Sequence, residues 1–166
     1  MNDTLTRYLA GIASERDRAA LRAVLAPVMD RMSCQSHSSA GLEITAGGGT
    51  TAQIGSTSTW HGVVQGVSRT IAAGTDMPAL SGTITADSFN VFCFYIDRDG
   101  TRTAEMGTEG TTRALLKFPV PPEGKTMIGY IVVTHSATFT GGTTALDTAT
   151  TLYVNVLGAF DPSVLI

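Results

Sequence analysis

The chain is 166 residues long, with 11 Lys and Arg against 14 Asp and Glu for a net charge of -3. That length can bury one respectable core, and the mild negative balance argues against nucleic acid as a direct partner, because phosphate binding needs a basic field. Charged residues make up only 15%, against about 25% in an ordinary soluble domain, and Thr and Gly fill the gap, which favours strands and turns over helices. A surface so weakly charged is poorly protected against association, which tilts the expectation towards a protein that works in an assembly.

The opening residues, MNDTLTRYLAGIASERDR, lack a basic start followed by an apolar run, so no signal peptide is expected. No stretch reaches the eighteen or so apolar residues a membrane helix needs. Cys34 lies in a Ser-rich stretch and Cys93 in an apolar strand. Two cysteines so placed make no disulfide framework, and free thiols in a reducing compartment are expected.

Residues 4–32 form the helical region. Leu5, Tyr8, Leu9 and Ile12 recur at helical spacing before Gly11 and Ser14 interrupt. Ser14, with Asp17 three residues on, marks a helix start, because the hydroxyl can accept from an unpaired amide. Leu21, Val24, Leu25, Val28, Met29 and Met32 then make an apolar stripe opposed by Arg18, Arg22 and Arg31. Pro27 falls inside it and is expected to kink or end the helix. The stripe has two uses: a docking arm that reaches another subunit or a larger surface, or a cover for one face of the chain's own sandwich. Leu21, Leu25, Val28 and Met32 also fit a coiled-coil spacing, but under two heptads containing Pro27 is too short to predict one.

Ser33 to Ala40 is small and polar and reads as a connector. The chain thus divides into a helical arm (1–33), a linker (34–41) and a β domain (42–166). Short strands are predicted at 42–45, 52–54 and within 57–67, where the single tryptophan, Trp60, lies. The central feature is 89–96: Phe89, Val91, Cys93 and Tyr95 on one side, Phe92, Phe94 and Ile96 on the other. A strand apolar on both faces must be covered on both, which places it inside a sheet. A two-residue turn at Asp99-Gly100 would set Asp97 opposite Arg102 on the return strand.

Further strands are expected at Arg113 to Val120, Met127 to Thr134 and Thr151 to Leu157, with residues 139–147 as a loop. Met127 to Thr134 is the natural neighbour of 89–96. The fold class is mainly β, an antiparallel β-sandwich or small barrel preceded by the N-terminal α-helical segment.

Motifs for chemistry are weak. Gly124-Lys125-Thr126 lacks the upstream glycine of a phosphate loop, where Pro119 stands, and opens into a strand, whereas a phosphate cradle needs a helix start. Asp97-Arg98-Asp99-Gly100 begins like a calcium loop, but the twelfth position is Thr108 and not glutamate. His37, His61 and His135 show no paired spacing, and no metal or cofactor is expected. Gly66-Val67-Ser68-Arg69-Thr70 lacks the last glycine of a nucleophile elbow. No pair of glutamates is set for glycoside hydrolysis. The residues point away from an enzyme.

The phrases PALSGTITADSFNVFCFYID (78–97), AEMGTEGTT (104–112), KFPVPPEGKTMIGYIVV (117–133), FTGGTTALD (139–147) and YVNVLGAFDP (153–162), with TRYLAGIASERDRAALRAVLAPV near the start, resemble a family of tailed-phage virion structural proteins associated with the head and capsid decoration. The resemblance covers most of the chain and is weakest over 50–70. It implies a non-enzymatic head decoration or cement protein, folded in the host cytoplasm and carried on the virion. Its partners would be the major capsid protein and copies of itself, in a homo-oligomer such as a trimer. The alternatives are a tail or connector component, or a carbohydrate-binding β-sandwich stacking sugars on Trp60, Tyr95 or Tyr130. The expected assembly interface is Leu5, Tyr8, Leu9, Ile12, Leu21, Leu25 and Val28 on the arm, with Phe160 in the apolar tail. Loops 74–82, 106–112 and 136–150 are the expected contacts with a lattice.

Overall fold

The computed structural model describes residues 15–159. Among these residues one helix, α1 (Glu15–Ser33), precedes eleven strands: β1 (Gln35–Ser36), β2 (Glu43–Ile44), β3 (Ala52–Gln53), β4 (Trp60–Val64), β5 (Val67–Ile71), β6 (Thr83–Ile84), β7 (Phe89–Ile96), β8 (Arg102–Met106), β9 (Thr126–Thr134), β10 (Phe139–Thr140) and β11 (Thr150–Asn155). All pairings are antiparallel. The main sheet runs β11-β9-β7-β8, the second β1-β4-β5, and β10-β6 and β2-β3 form two small ribbons. The described residues are mainly β with an N-terminal helix, and among them no barrel closes.

β7 is central because its sequence leaves no polar face. It pairs with β9 on one side and β8 on the other, and every residue from Asn90 to Ile96 is buried. Phe92, Phe94 and Ile96 face the larger core, with Trp60, Val64, Ile54, Ile84 and Phe139. Val91, Cys93 and Tyr95 face a smaller one with Met127, Val132, Leu116 and Val156. Opposite the Phe94–Tyr95 step the register of β9 moves from Gly129 to Met127, so Ile128 is an extra residue, and the bulge turns its side chain into the larger core. Asn90, the one polar residue of β7, donates through Nδ2 to the Gly107 carbonyl at 3.2 Å. It also accepts from the Val91 amide, which fixes the point where the chain leaves β8.

Four expectations need correction. The β7–β8 hairpin has a longer loop than two residues: Ile96, not Asp97, stands opposite Arg102. Asp97 pairs with Thr101, its carboxylate accepts from the amides of Asp99 and Thr101, and Gly100 takes the left-handed conformation (φ 92°). A three-residue loop with a left-handed glycine is the favoured alternative to the two-residue turn. Arg102 donates instead to the Asp76 carbonyl.

Arg113 to Val120 does not form a strand. It begins as a 3-10 turn (Arg113–Leu115) and makes one isolated bridge, Thr108 with Lys117, because Pro119, Pro121 and Pro122 have no amides to give a ladder. Residues 34–41 are not a free connector: Gln35 and Ser36 pair with β4, and Cys34, Ser36 and Ala40 are buried. The segment 139–147 is not all loop, since Phe139 and Thr140 pair with Ile84 and Thr83.

The region 57–67 contains a hairpin whose second strand, β5, runs on to Ile71. Its turn is Gln65-Gly66, both at positive φ (49° and 77°). Two left-handed residues in a row are the hairpin turn whose twist matches the strands.

Candidate functional site

The feature that stands out against this closed sandwich is α1. Alanines, arginines and leucines give it good helical propensity, and Arg31 in the last turn complements the dipole. It runs unbroken through Pro27. Its last carbonyls are satisfied locally: Ser33 Oγ donates to the Asp30 carbonyl, Cys34 N to Arg31 and Gln35 Nε2 to Met32.

The helix is tied to the sandwich at this end. The Asp30 carboxylate accepts from the Gly124 amide at 2.9 Å, the Ser33 carbonyl from the Gly66 amide at 3.1 Å, and the Cys34 sulfur from the Gln65 amide at 3.4 Å. Pro27, Asp30, Arg31 and Cys34 line one wall of a cleft of about 230 Å³, and Val120, Pro121 and Pro122 contribute to the other.

At about 100° per residue, the apolar stripe lies on the opposite side of the helix from that cleft. From Asp17 to Ser33 no side chain is buried. Val24, Val28 and Met32 are 66%, 50% and 68% exposed, and Leu21 and Leu25 are partly exposed. The helix does not cover the sheet. That face is already closed by Leu116 and Val156, with Phe118 edge-on against Tyr130 at 5.0 Å. Among the described residues nothing covers the stripe, which stays open.

Of the interface residues expected from sequence, the structure thus brings Leu21, Leu25 and Val28 onto one open stripe. Leu5, Tyr8, Leu9, Ile12 and Phe160 lie outside the described residues. Sequence reasoning did not single out Leu115, Val120 and Leu157, which are 60%, 88% and 64% exposed. The signal for Val120 was its place between Pro119 and Pro121, where no ladder could draw it into a sheet.

The residues with chemical potential are occupied structurally. Gly124, Lys125 and Thr126 bond to Asp30, to Thr103 Oγ1 and to the Val63 carbonyl respectively, and Lys125 and Thr126 do so through their side chains. His61 is exposed beside Thr70, and His135 bonds within its own turn at Ala137. Among the described residues no group of three His, Cys, Asp or Glu is placed to hold a metal ion. None of the described helices is long and apolar enough to cross a membrane. Trp60 and Tyr95 are 0% and 1% exposed, so neither can offer a face to a sugar. Cys34 and Cys93 are both free and buried.

No protein-family model, curated protein or solved structure matches this chain. What the surface can do is therefore argued from α1 itself. A helix tied at one end, with an apolar stripe turned outward, gains by burying that stripe.

The Asp30 tie has a measurable weight. Asp30→Ala removes a charge-assisted bond to a backbone amide, and such bonds contribute about 1.5–3 kcal/mol. Hydrogen exchange at Gly124 and Gly66 is expected to speed up at least tenfold while amides of β7 and β9 stay protected. Unchanged exchange at both glycines would contradict the tie.

Proposed function

We propose that the chain is a non-enzymatic phage virion structural protein, a head decoration protein that binds the capsid surface as a homo-oligomer. The observation that carries this is the α1 arm: a helix with no buried side chain from Asp17 to Ser33, bearing an outward apolar stripe on a sandwich whose core is complete without it. The low charge and high Thr and Gly content suit a protein that works by buried surface, and the phrases quoted from the sequence supply the virion setting. Association adds to each subunit's stability by mass action, which is how such a protein would reinforce a shell.

The test is binding of the purified protein to expanded, tail-less capsids. Saturable co-sedimentation is expected, and immunogold label should fall on heads of intact virions. Failure to bind such capsids, or label confined to tails, would sink the proposal in favour of a tail or connector component.

A further inference from the structure

We infer that the groove between the edges of the two larger sheets binds a small oxyanion, the phosphate or carboxylate group of a soluble ligand, between Arg69 and Arg102. This goes beyond the virion reading and does not depend on it.

β5 is an edge strand of the β1-β4-β5 sheet, and β8 is an edge strand of the main sheet. Side chains two apart on a strand share a face. Arg69 therefore lies on the face of β5 that carries Ile71, and Arg102 on the face of β8 that carries Ala104 and Met106. Ile71 belongs to the larger core, and Ala104 and Met106 pack against it. Both arginines thus occupy inward positions, where the alternation calls for apolar residues. They line one groove of about 310 Å³ at the mouth of the sandwich, with Thr70 and Thr75 and with the buried Ile71 and Ile96 as its floor.

Each guanidinium is held in place yet left without a counter-charge. Arg69 Nη2 donates to the Arg98 carbonyl, and Arg102 Nη1 donates to the Asp76 carbonyl at 2.9 Å. Such a bond orients a guanidinium but takes one N–H and none of its charge. No Asp or Glu lines the groove, and among the described residues neither arginine makes an ion pair. Of the acids on the adjoining loops, Asp97 commits its carboxylate to the amides of Asp99 and Thr101. Asp76 and Asp99 are exposed and line no part of the groove.

Arg69 Nε is buried with no hydrogen-bond partner. A desolvated donor on a cation is costly to leave unmade, and two like charges facing one groove repel. An oxyanion placed between them relieves both costs, because carboxylate and phosphate oxygens match the planar fork of a guanidinium. The groove is at the small end of ligand sites, which run from about 300 to 1,000 Å³, so an organic acid or a phosphate ester is the class that fits.

An inward charge on an edge strand has another use, to keep that edge from pairing with a second chain. That role asks only for a charge. It gives no reason for a second arginine across the same groove, or for a buried Nε without an acceptor.

The test is heteronuclear NMR of the full chain, titrated with inorganic phosphate and separately with succinate in a chloride buffer of constant ionic strength. Saturable shifts are expected at the amides of Thr70, Thr75 and Arg102. A response to phosphate alone assigns the ligand a phosphate group, a response to succinate alone a carboxylate, and a response to both assigns either oxyanion. Arg69→Gln and Arg102→Gln should each weaken binding by about tenfold or more, the loss that goes with one charge-assisted hydrogen bond. Unchanged urea midpoints would verify that the variants fold, and the wild-type shifts locate the site without them. No saturable shift with either anion, shifts centred elsewhere, or unchanged binding in either folded variant would each overturn the inference.

Discussion

Trp60→Ala is expected to lower the unfolding free energy by about 3–5 kcal/mol, the range for deleting a large buried aromatic. Trp60 is fully buried on β4, in the core shared by the two larger sheets. Its Nε1 donates to Ser36 Oγ at 2.8 Å, tying β1 to β4 from inside. Gly62 has no side chain because one there would run into the Trp60 ring and the Gln35 carbonyl. The ring thus fills a space shaped by its neighbours, and alanine would leave a cavity and strip Ser36 Oγ of its indole donor, leaving it only the bond it gives to the Ser38 carbonyl.

Trp60→Phe keeps most of the apolar area and loses the bond to Ser36, so its cost should be smaller, about 1–3 kcal/mol. Urea unfolding of the three proteins checks the order. A loss below about 1 kcal/mol for alanine would contradict the central role given to this ring.

The second large effect is alkaline. Burial holds the Cys93 thiol at a pKa of about 12, up from 9.0, with the Glu105 charge pushing the same way. Burial raises the Tyr95 phenol too, joined by the neighbouring Cys93 and Glu105. Each group binds its proton more tightly folded than unfolded. The stability this represents is complete below the unfolded pKa and is lost as pH rises towards the folded one.

For Cys93 the window is pH 9 to 12, with a slope of about 1.4 kcal/mol per pH unit and a total near 4 kcal/mol. Tyr95 adds its own slope once pH passes its ordinary value of 10.0. Unfolding free energies from urea titrations should therefore fall steeply above pH 9 in the wild type and more gently in Cys93→Ala. A wild-type profile flat from pH 9 to 11 would show that these groups are not held as described.

Tyr95→Phe carries a sharper expectation. The hydroxyl is buried beside the Cys93 sulfur without a hydrogen bond of adequate geometry. Removing an unsatisfied buried hydroxyl is nearly neutral or stabilising by about 1 kcal/mol, so this variant should also resist alkali better.

Residues 89–96 announce their own place. Seven of the eight are apolar, on both faces, and only a central strand can bury that pattern. Met127 to Thr134 declares itself in the same way, and Leu21, Leu25 and Val28 lie at helical spacing for any reader of the sequence. Local chemistry also predicts turns, yet not their length. Asp99-Gly100 looks like a two-residue turn until the Asp97 carboxylate, bonded to two amides, lengthens the loop and shifts the register by one.

What no local pattern could decide is which surfaces meet. Whether α1 covers the sandwich depends on what else competes for that face, and Leu116, Phe118 and Val156, from two distant parts of the chain, take it first. Likewise Ser36 reads as linker until Trp60, 24 residues away, donates to it. Periodicity determines which side chains must be buried. Only the closed core determines which are left over, and here the remainder is the outward stripe of one helix.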